Sequence, residues 1–218
     1  MNNINELSDQ LPFFLMSIAG LCAYLVGSIS TAIITCKMMG LPDPRTQGSN
    51  NPGATNVMRF GGKKAAIITL LGDALKGLLP VIIATLLKMP AAVIAFVALA
   101  AFLGHLYPIF FRFQGGKGVA TALGCILALS PFVALCALLV WIIIFKATKI
   151  SSIAALTAAL FCPIFLWVFN LLGLGGSTSI YIIISVIFMD IMLIIRHKDN
   201  IKRIYKGEEG SFSKNKKS

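Results

Sequence analysis

Three polar strips, set between long apolar runs, hold nearly every side chain able to do chemistry in this 218-residue sequence. The middle strip reads QGGKGVATALG from Gln114 to Gly124. Gly115 and Gly116 let backbone approach an anion closely, and Lys117 adds a point charge. A helix expected to start at 119 would turn its positive end toward the same spot. A nucleotide loop of the form G-x-x-x-x-G-K-[ST] would need glycine at Phe111 and a hydroxyl residue at Gly118, so nucleotide chemistry is excluded there. The first strip, PDPRTQGSNNPGATNVMRFGGKK over 42–64, reads as a helix start with Asn51 as cap and Pro52 at the first helical position. The amides of Gly53, Ala54 and Thr55 would then face a phosphate-sized anion, with Gly48 and Ser49 extending the nest. Asn56 and Arg59 are three apart on one helix face, and Arg59 can clamp a phosphate through two parallel hydrogen bonds. The third strip is RHKDNIKRIYKGEEG, 196–210. Helical spacing puts His197, Asn200, Ile201 and Ile204 on one face and Lys198, Asp199, Lys202, Arg203 and Lys206 on the other. The basic face suits an anionic membrane surface. Each strip also has a plainer reading: an interfacial turn, a flexible loop with a topogenic lysine, and an amphipathic anchor.

Inside the apolar runs, Asp73 and Lys76 form an i,i+3 pair that is either functional or a self-paired bridge. His105 approaches the middle strip and reads best as a structural histidine. Ser151 and Ser152 open a helix after Lys149 and read as caps. The small residues Gly27, Ser28, Ser30 and Thr31 favour close helix packing. Before the polar tail that begins at Gly207, the carboxylates of the strips are Asp43 and Asp199, neither paired with a histidine. No H-x-E, H-E-x-x-H, G-x-S-x-G or H-x-x-x-x-D pattern occurs, so no metal, no cofactor and no base-and-nucleophile arrangement is expected. What the strips can do is bind and position anions.

The elements that must position these residues are membrane helices. The chain is 57% hydrophobic and 12% charged, with a mean hydropathy of +0.87. A soluble core could not bury so much apolar surface, whereas lipid can solvate it. The net charge of +11 sits in short strips between apolar runs, which is a topology pattern and not a nucleic-acid surface. Five cysteines, all in apolar segments and without C-x-x-C spacing, suggest neither disulfides nor zinc. No basic residue precedes Lys37, so no cleaved signal is expected.

Apolar runs cover about 11–36, 65–87, 90–111, 119–145, 150–172 and 178–195. Ser130-Pro131 interrupts the fourth, leaving a kinked span or two helices, 119–130 and 132–147. The positive-inside rule favours the hairpin, because it returns Lys146 and Lys149 to the side of the other cations. The expected fold is therefore an all-α, seven-helix transmembrane bundle, N-terminus out and C-terminus in, with short interfacial helices. Residues 1–209 would form one membrane-embedded domain, and 210–218 a polar tail, frayed from Gly207.

GSNNPGATNVMR, GHLYPIFFRFQGGKGVATALG and RHKDNIKRIYKGEE resemble the three motifs of the bacterial acyl-phosphate:glycerol-3-phosphate acyltransferases. LGDALKG and GSIS resemble that family as well, and the likeness runs from about residue 20 to 209. Gln114 departs from it, standing where the family often has Lys. The resemblance implies a cytoplasmic-facing site in the bacterial inner membrane. There acyl phosphate, made by a separate acyl-phosphate-forming enzyme, acylates glycerol 3-phosphate to lysophosphatidic acid. By motif position it carries Ser49, Thr55, Asn56, Arg59, Gly115, Gly116, Lys117, His197 and Asn200 over as site residues, and by span alignment Ser152. It assigns catalysis to Lys117, His197, Asn200 and Arg59, leaving Asp73, Lys76 and His105 as support. A transporter for organic phosphates is the alternative from another class. It would place its site near the midplane of repeated halves, and no repeat is seen.

Overall fold

The computed structural model describes residues 2–174 and 179–212, with residues 2–13 as helical backbone. The tail residues 213–218 and the first residue of the run 178–195 lie outside the described residues. Every regular element among the described residues is helical: α1 Asn2–Gly27, α2 Thr31–Met38, α3 Ala54–Leu86, α4 Ala91–Leu106, a single 3-10 turn Ile109–Phe111, α5 Val119–Leu129, α6 Pro131–Thr148, α7 Ser151–Leu171, α8 Ile180–Arg196 and α9 Lys198–Tyr205. Among the described residues, five stretches are long and apolar enough to cross a membrane, or six if α8 and α9, bent by 56° at His197, form one broken span. The chain is a multi-pass integral membrane protein. Leu, Ile and Phe side chains stay exposed along α3, α6 and α8, as lipid-facing surfaces require.

Small residues bring the helices together. A Cβ at Gly124 of α5 would strike the Ala74 carbonyl of α3, and one at Gly77 of α3 would strike the Thr121 carbonyl of α5. Gly27 and Gly104 make the same reciprocal crossing between α1 and α4. Backbones meet this closely only where side chains vanish, which is how membrane helices gain contact without a hydrophobic drive. Ala and Val dominate the core beneath, with Phe102, Leu106, Leu166 and Met189 as its large members.

The run 11–36 does not form one helix. It breaks at Gly27–Ser30, and the break explains the Asp73–Lys76 pair. Lys76 Nζ lies 2.8 Å from Asp73 Oδ1 and donates to the Ile29 carbonyl, also at 2.8 Å. Thr31 Oγ1 donates to Asp73 Oδ1, and His105 Nδ1 lies 3.5 Å from the same oxygen. Non-helical backbone at membrane depth needs polar partners from the protein, and α3 supplies them. The pair is a bridge that satisfies the open backbone of a broken helix.

The fourth run is also broken. Ser130 is extended at φ −155°, ψ 94°, and Pro131 opens α6 as its first residue. α5, at 11 residues, is about 17 Å long, little more than half the hydrocarbon thickness. The far end of α6 returns to the three strips: the Phe212 amide donates to the Lys149 carbonyl at 3.1 Å, and Thr55 Oγ1 lies 3.1 Å from Ser151 Oγ. The first strip bends too, since Gly62 interrupts α3 at φ 78° and sets Ala54–Gly61 off as a short segment before the long span.

Candidate active site

All three strips meet at one end of the bundle, at the mouth of a cavity of about 670 Å3. Polar groups ring its mouth, among them Arg59, Lys117, His197, Asn200 and Arg203. Its wall below is apolar, from Leu123, Ala137, Ala155 and their neighbours on α5, α6 and α7.

Asn200 sits at the centre. Its side-chain oxygen accepts from Lys117 Nζ, and its amide nitrogen donates to Glu209 Oε1 at 2.5 Å. Ser152 Oγ donates to the same carboxylate oxygen at 2.8 Å, and Arg203 Nε to the other at 2.7 Å. Glu209 therefore ties α7, α9 and the middle strip together. Burial alone would push its carboxyl up. The hydrogen bonds from Asn200, Arg203 and Ser152 prevail and hold it below the ordinary value. Burial lowers the Lys117 ammonium to about 8; Glu209 opposes that shift and Arg203 adds to it. His197, the cap residue just beyond the end of α8, is buried, and burial brings it down to about 4. Its Nδ1 lies 2.8 Å from the Leu193 carbonyl. A carbonyl only accepts, so Nδ1 carries the proton and Nε2 is left as the acceptor.

Several expectations change. Asn51 and Pro52 do not start a helix: α3 begins at Ala54 with Gly53, extended at φ −148°, as its cap. The cause is Asn56, whose amide donates to the carbonyls of Pro44, Gln47 and Asn51 and pulls the preceding loop into a closed turn. Asn56 Oδ1 accepts from the Ser49 amide at 3.0 Å, so that amide is not free for an anion. Asn56 thus shapes the loop, while the amides of Ala54 and Thr55 remain at the helix's positive end beside the cavity. Gly115 and Gly116 do not cradle an anion either. Both are buried against the end of α4, where a Cβ would strike the His105 carbonyl or ring. The Gly116 amide donates to the His105 carbonyl at 3.2 Å. Their own carbonyls accept from Arg196, at 2.8 Å for Gly115 and 3.2 Å for Gly116. The glycines let the strip lie flat, and Arg196 pins it so that Lys117 reaches the mouth.

Ser151 and Ser152 are not caps: the N-cap of α7 is Ile150, and the two hydroxyls face Thr55 and Glu209. Arg203 does not belong to the outward basic face, since it pairs with Glu209. Glu209 corrects the carboxylate count, because a polar tail reads as solvent-facing. The tail is not frayed at Gly207 either. The Gly210 carbonyl accepts from Arg59 at 3.2 Å, and Phe212 packs edge-on against Phe145 and beneath the Arg59 guanidinium. Residues 210–212 therefore pack against the bundle. Lys117, Asn200, Arg59, His197, Ser49, Asn51, Gly53, Thr55, Asn56 and Ser152 do line the same cavity; Gly115 lies on its far side, facing a smaller hollow with Arg45 and Arg196. Asp73 and His105 also reach its wall. No cluster of three or more metal-ligating side chains occurs among the described residues.

The sequence and the fold recur in known proteins. The sequence pattern of the glycerol-3-phosphate acyltransferases matches residues 17–207. A glycerol-3-phosphate acyltransferase of Methylobacillus flagellatus is 55% identical over 194 residues, covering 89% of this chain and 95% of its own. That of Ruthia magnifica is 48% identical over 203 residues, covering 93% and 100%. The crystal structure of PlsY (YgiH), an integral membrane glycerol 3-phosphate acyltransferase, superposes in its glycerol 3-phosphate form with a TM-score of 0.84. Identity there is 40%, with 90% of this chain and 95% of that one covered. Its lysophosphatidic acid form gives 0.82 at 39% identity, with the same coverage. On motif, length, fold and the convergence of its three polar strips, this chain belongs to the glycerol-3-phosphate acyltransferase family.

Proposed function

We propose that this protein transfers an acyl group from acyl phosphate to the primary hydroxyl of sn-glycerol 3-phosphate. The products are lysophosphatidic acid and inorganic phosphate, in the first acylation step of bacterial phospholipid synthesis. The observation that carries the reading is the two-part cavity: cations and amides at the mouth for phosphate groups, and an apolar wall below for the chain. Glu209 supports it, because its carboxylate is held by Asn200, Ser152 and Arg203 as an anion would be. The homologues named for glycerol 3-phosphate support the acceptor.

Lys117 and the positive end of α5 face the acyl phosphate and stabilise the oxyanion that forms at its carbonyl. Arg59 and Arg203 hold the phosphate of the glycerol, Asn200 fixes the ammonium of Lys117, and His197 Nε2 accepts from the attacking hydroxyl. The hydroxyl oxygen adds to the carbonyl carbon, and the bond from that carbon to the phosphate oxygen breaks. Phosphate leaves with the electron pair and carries off the hydroxyl proton. At about 4, His197 is a weak base. It orients the hydroxyl, and a substrate phosphate takes the proton. Orientation of this kind supplies several kcal/mol.

The test is the purified protein with palmitoyl phosphate and glycerol 3-phosphate. Lysophosphatidate and phosphate should appear in equal amounts. Glycerol 3-phosphate uptake into vesicles without chemistry would favour a transporter instead.

The protein sits in the bacterial cytoplasmic membrane with the cavity mouth toward the cytoplasm. The support is charge: Arg45, Arg59, Lys63, Lys64, Lys117, Lys149 and the α9 cations share the mouth's end. Seven transmembrane elements follow, counting α1 with α2 as one, α5 as the short one, and α8 with α9 as another. A cysteine at Lys149 should react with an impermeant thiol reagent from the cytoplasmic side only; labelling from outside would overturn the orientation. An enzyme that forms acyl phosphate must work upstream to supply the donor.

A further inference from the structure

Asp190 of α8 has no part in the chemistry above. It is buried, at 7% exposed, and its Oδ2 has no hydrogen-bond partner. No ion pair reaches it among the described residues, unlike Asp73, which Lys76 answers. Membrane helices carry such a group at a cost, and one kept without a partner calls for a role.

Its position suggests the role. Asp190 lines the cavity two helical turns before His197, or about 10 Å along the axis. It is the deepest α8 residue to do so. Ile126 of α5, Ala137 of α6 and Cys162 of α7 are the deepest on their helices. Beyond these four the helices close on Val133, Ala134, Leu166 and Val186, all within 2% of full burial. Among the described residues, Asp190 is therefore the carboxylate on the cavity floor, beside Ile126, Ala137 and Cys162.

We propose that Asp190 is a specificity residue: a polar floor that limits the length of the acyl chain the cavity accepts. The proposal rests on the acyl-transfer reading. Oδ2 is closed to solvent even with the cavity empty, so a chain that stops short of the floor leaves water only to the 7% of Asp190 that faces the cavity. A chain whose terminal methyl reaches it strips that water away and gives the carboxyl no partner in return. Leaving a buried polar group unsatisfied weighs against the complex by about tenfold in its binding constant. Hydrocarbon alone discriminates weakly between chain lengths, and an unpaired polar group sharpens the cut.

The test compares stearoyl phosphate with lauroyl phosphate as donors, using full-length protein in detergent or nanodiscs. The readout is the ratio of kcat/KM for the long donor to that for the short one. Partial unfolding lowers both values together and leaves this ratio unmoved. Asp190→Leu should raise the ratio about tenfold. Asp190→Asn, which keeps a polar group of the same size, should keep the wild-type ratio. A ratio unchanged in Asp190→Leu would show that the chain leaves between helices before reaching the floor, and the proposal would fall. An equal rise in both variants would also overturn it, because polarity would not be the cause. Failure of the wild type to acylate glycerol 3-phosphate with any donor would instead defeat the functional reading beneath it.

Discussion

Lys117→Ala should lower kcat/KM by about 10²- to 10³-fold, the range seen when one donor to a developing oxyanion is removed. The fold should survive, because the strip that carries Lys117 is held by Arg196 and by the packing of Gly115 and Gly116 against α4. A helical signal and melting point close to wild type, with turnover lost, is the expected pair of results. Turnover within a few-fold of wild type would remove Lys117 from the reaction. The pH profile gives an independent check. With its ammonium held at about 8, Lys117 is charged below that pH and loses its charge above it. kcat/KM should therefore fall along an alkaline limb centred near 8. Lys117→Arg keeps its charge throughout and should lack that limb, whatever rate it retains.

Glu209→Ala should reduce both stability and turnover, because one carboxylate holds three donors from two helices. Ser152, Asn200 and Arg203 would lose their acceptor together. Arg203 is 37% exposed and recovers water, so the cost comes mainly from Ser152 and Asn200, at about 1–3 kcal/mol. Asn200 would then no longer be fixed against Lys117, and a displacement of about 1 Å costs on the order of 10²-fold in rate. Glu209→Gln keeps an acceptor oxygen and should fall between wild type and alanine on both measures. Melting followed against pH adds a signed prediction. The Glu209 carboxyl is held below its ordinary value, so its stabilisation is complete above about 4.3 and disappears as pH falls through the folded value. Wild type should lose its advantage over Glu209→Ala in acid. An unchanged melting difference from neutral to acid would exclude the ionised carboxylate as the tie.

The outline of this molecule was legible because lipid imposes simple rules. Apolar runs of about twenty residues name the spans, and proline beside serine at 130–131 names a break. Cationic strips name one end of the bundle. That Lys117, Asn200, His197 and Arg59 line one cavity could be anticipated because few polar side chains compete with them. What escaped was the detail of which atoms are free. Asn51-Pro52 has the composition of a helix start, yet Asn56 captures the loop carbonyls and moves that start to Ala54. Gly115 and Gly116 look like an anion loop, yet their missing Cβ atoms serve the approach to α4. Arg196 counted only as one more cation near a membrane, and nothing local announces that it pins two glycine carbonyls. Glu209 escaped because a carboxylate in a polar C-terminal stretch is usually solvated, and only the fold-back of 207–212 brings it inside. The broken first helix escaped for a related reason: its unsatisfied carbonyl at Ile29 is answered by Lys76, 47 residues later.

The polar mouth lies at one end of the bundle, and the cavity floor is sealed by the core. A lipid made there can leave only at the depth where its donor entered. Every turnover therefore adds mass to a single leaflet. The opposite leaflet receives nothing until some other protein turns lipids over, so membrane growth driven by this enzyme begins as an area imbalance between the two faces.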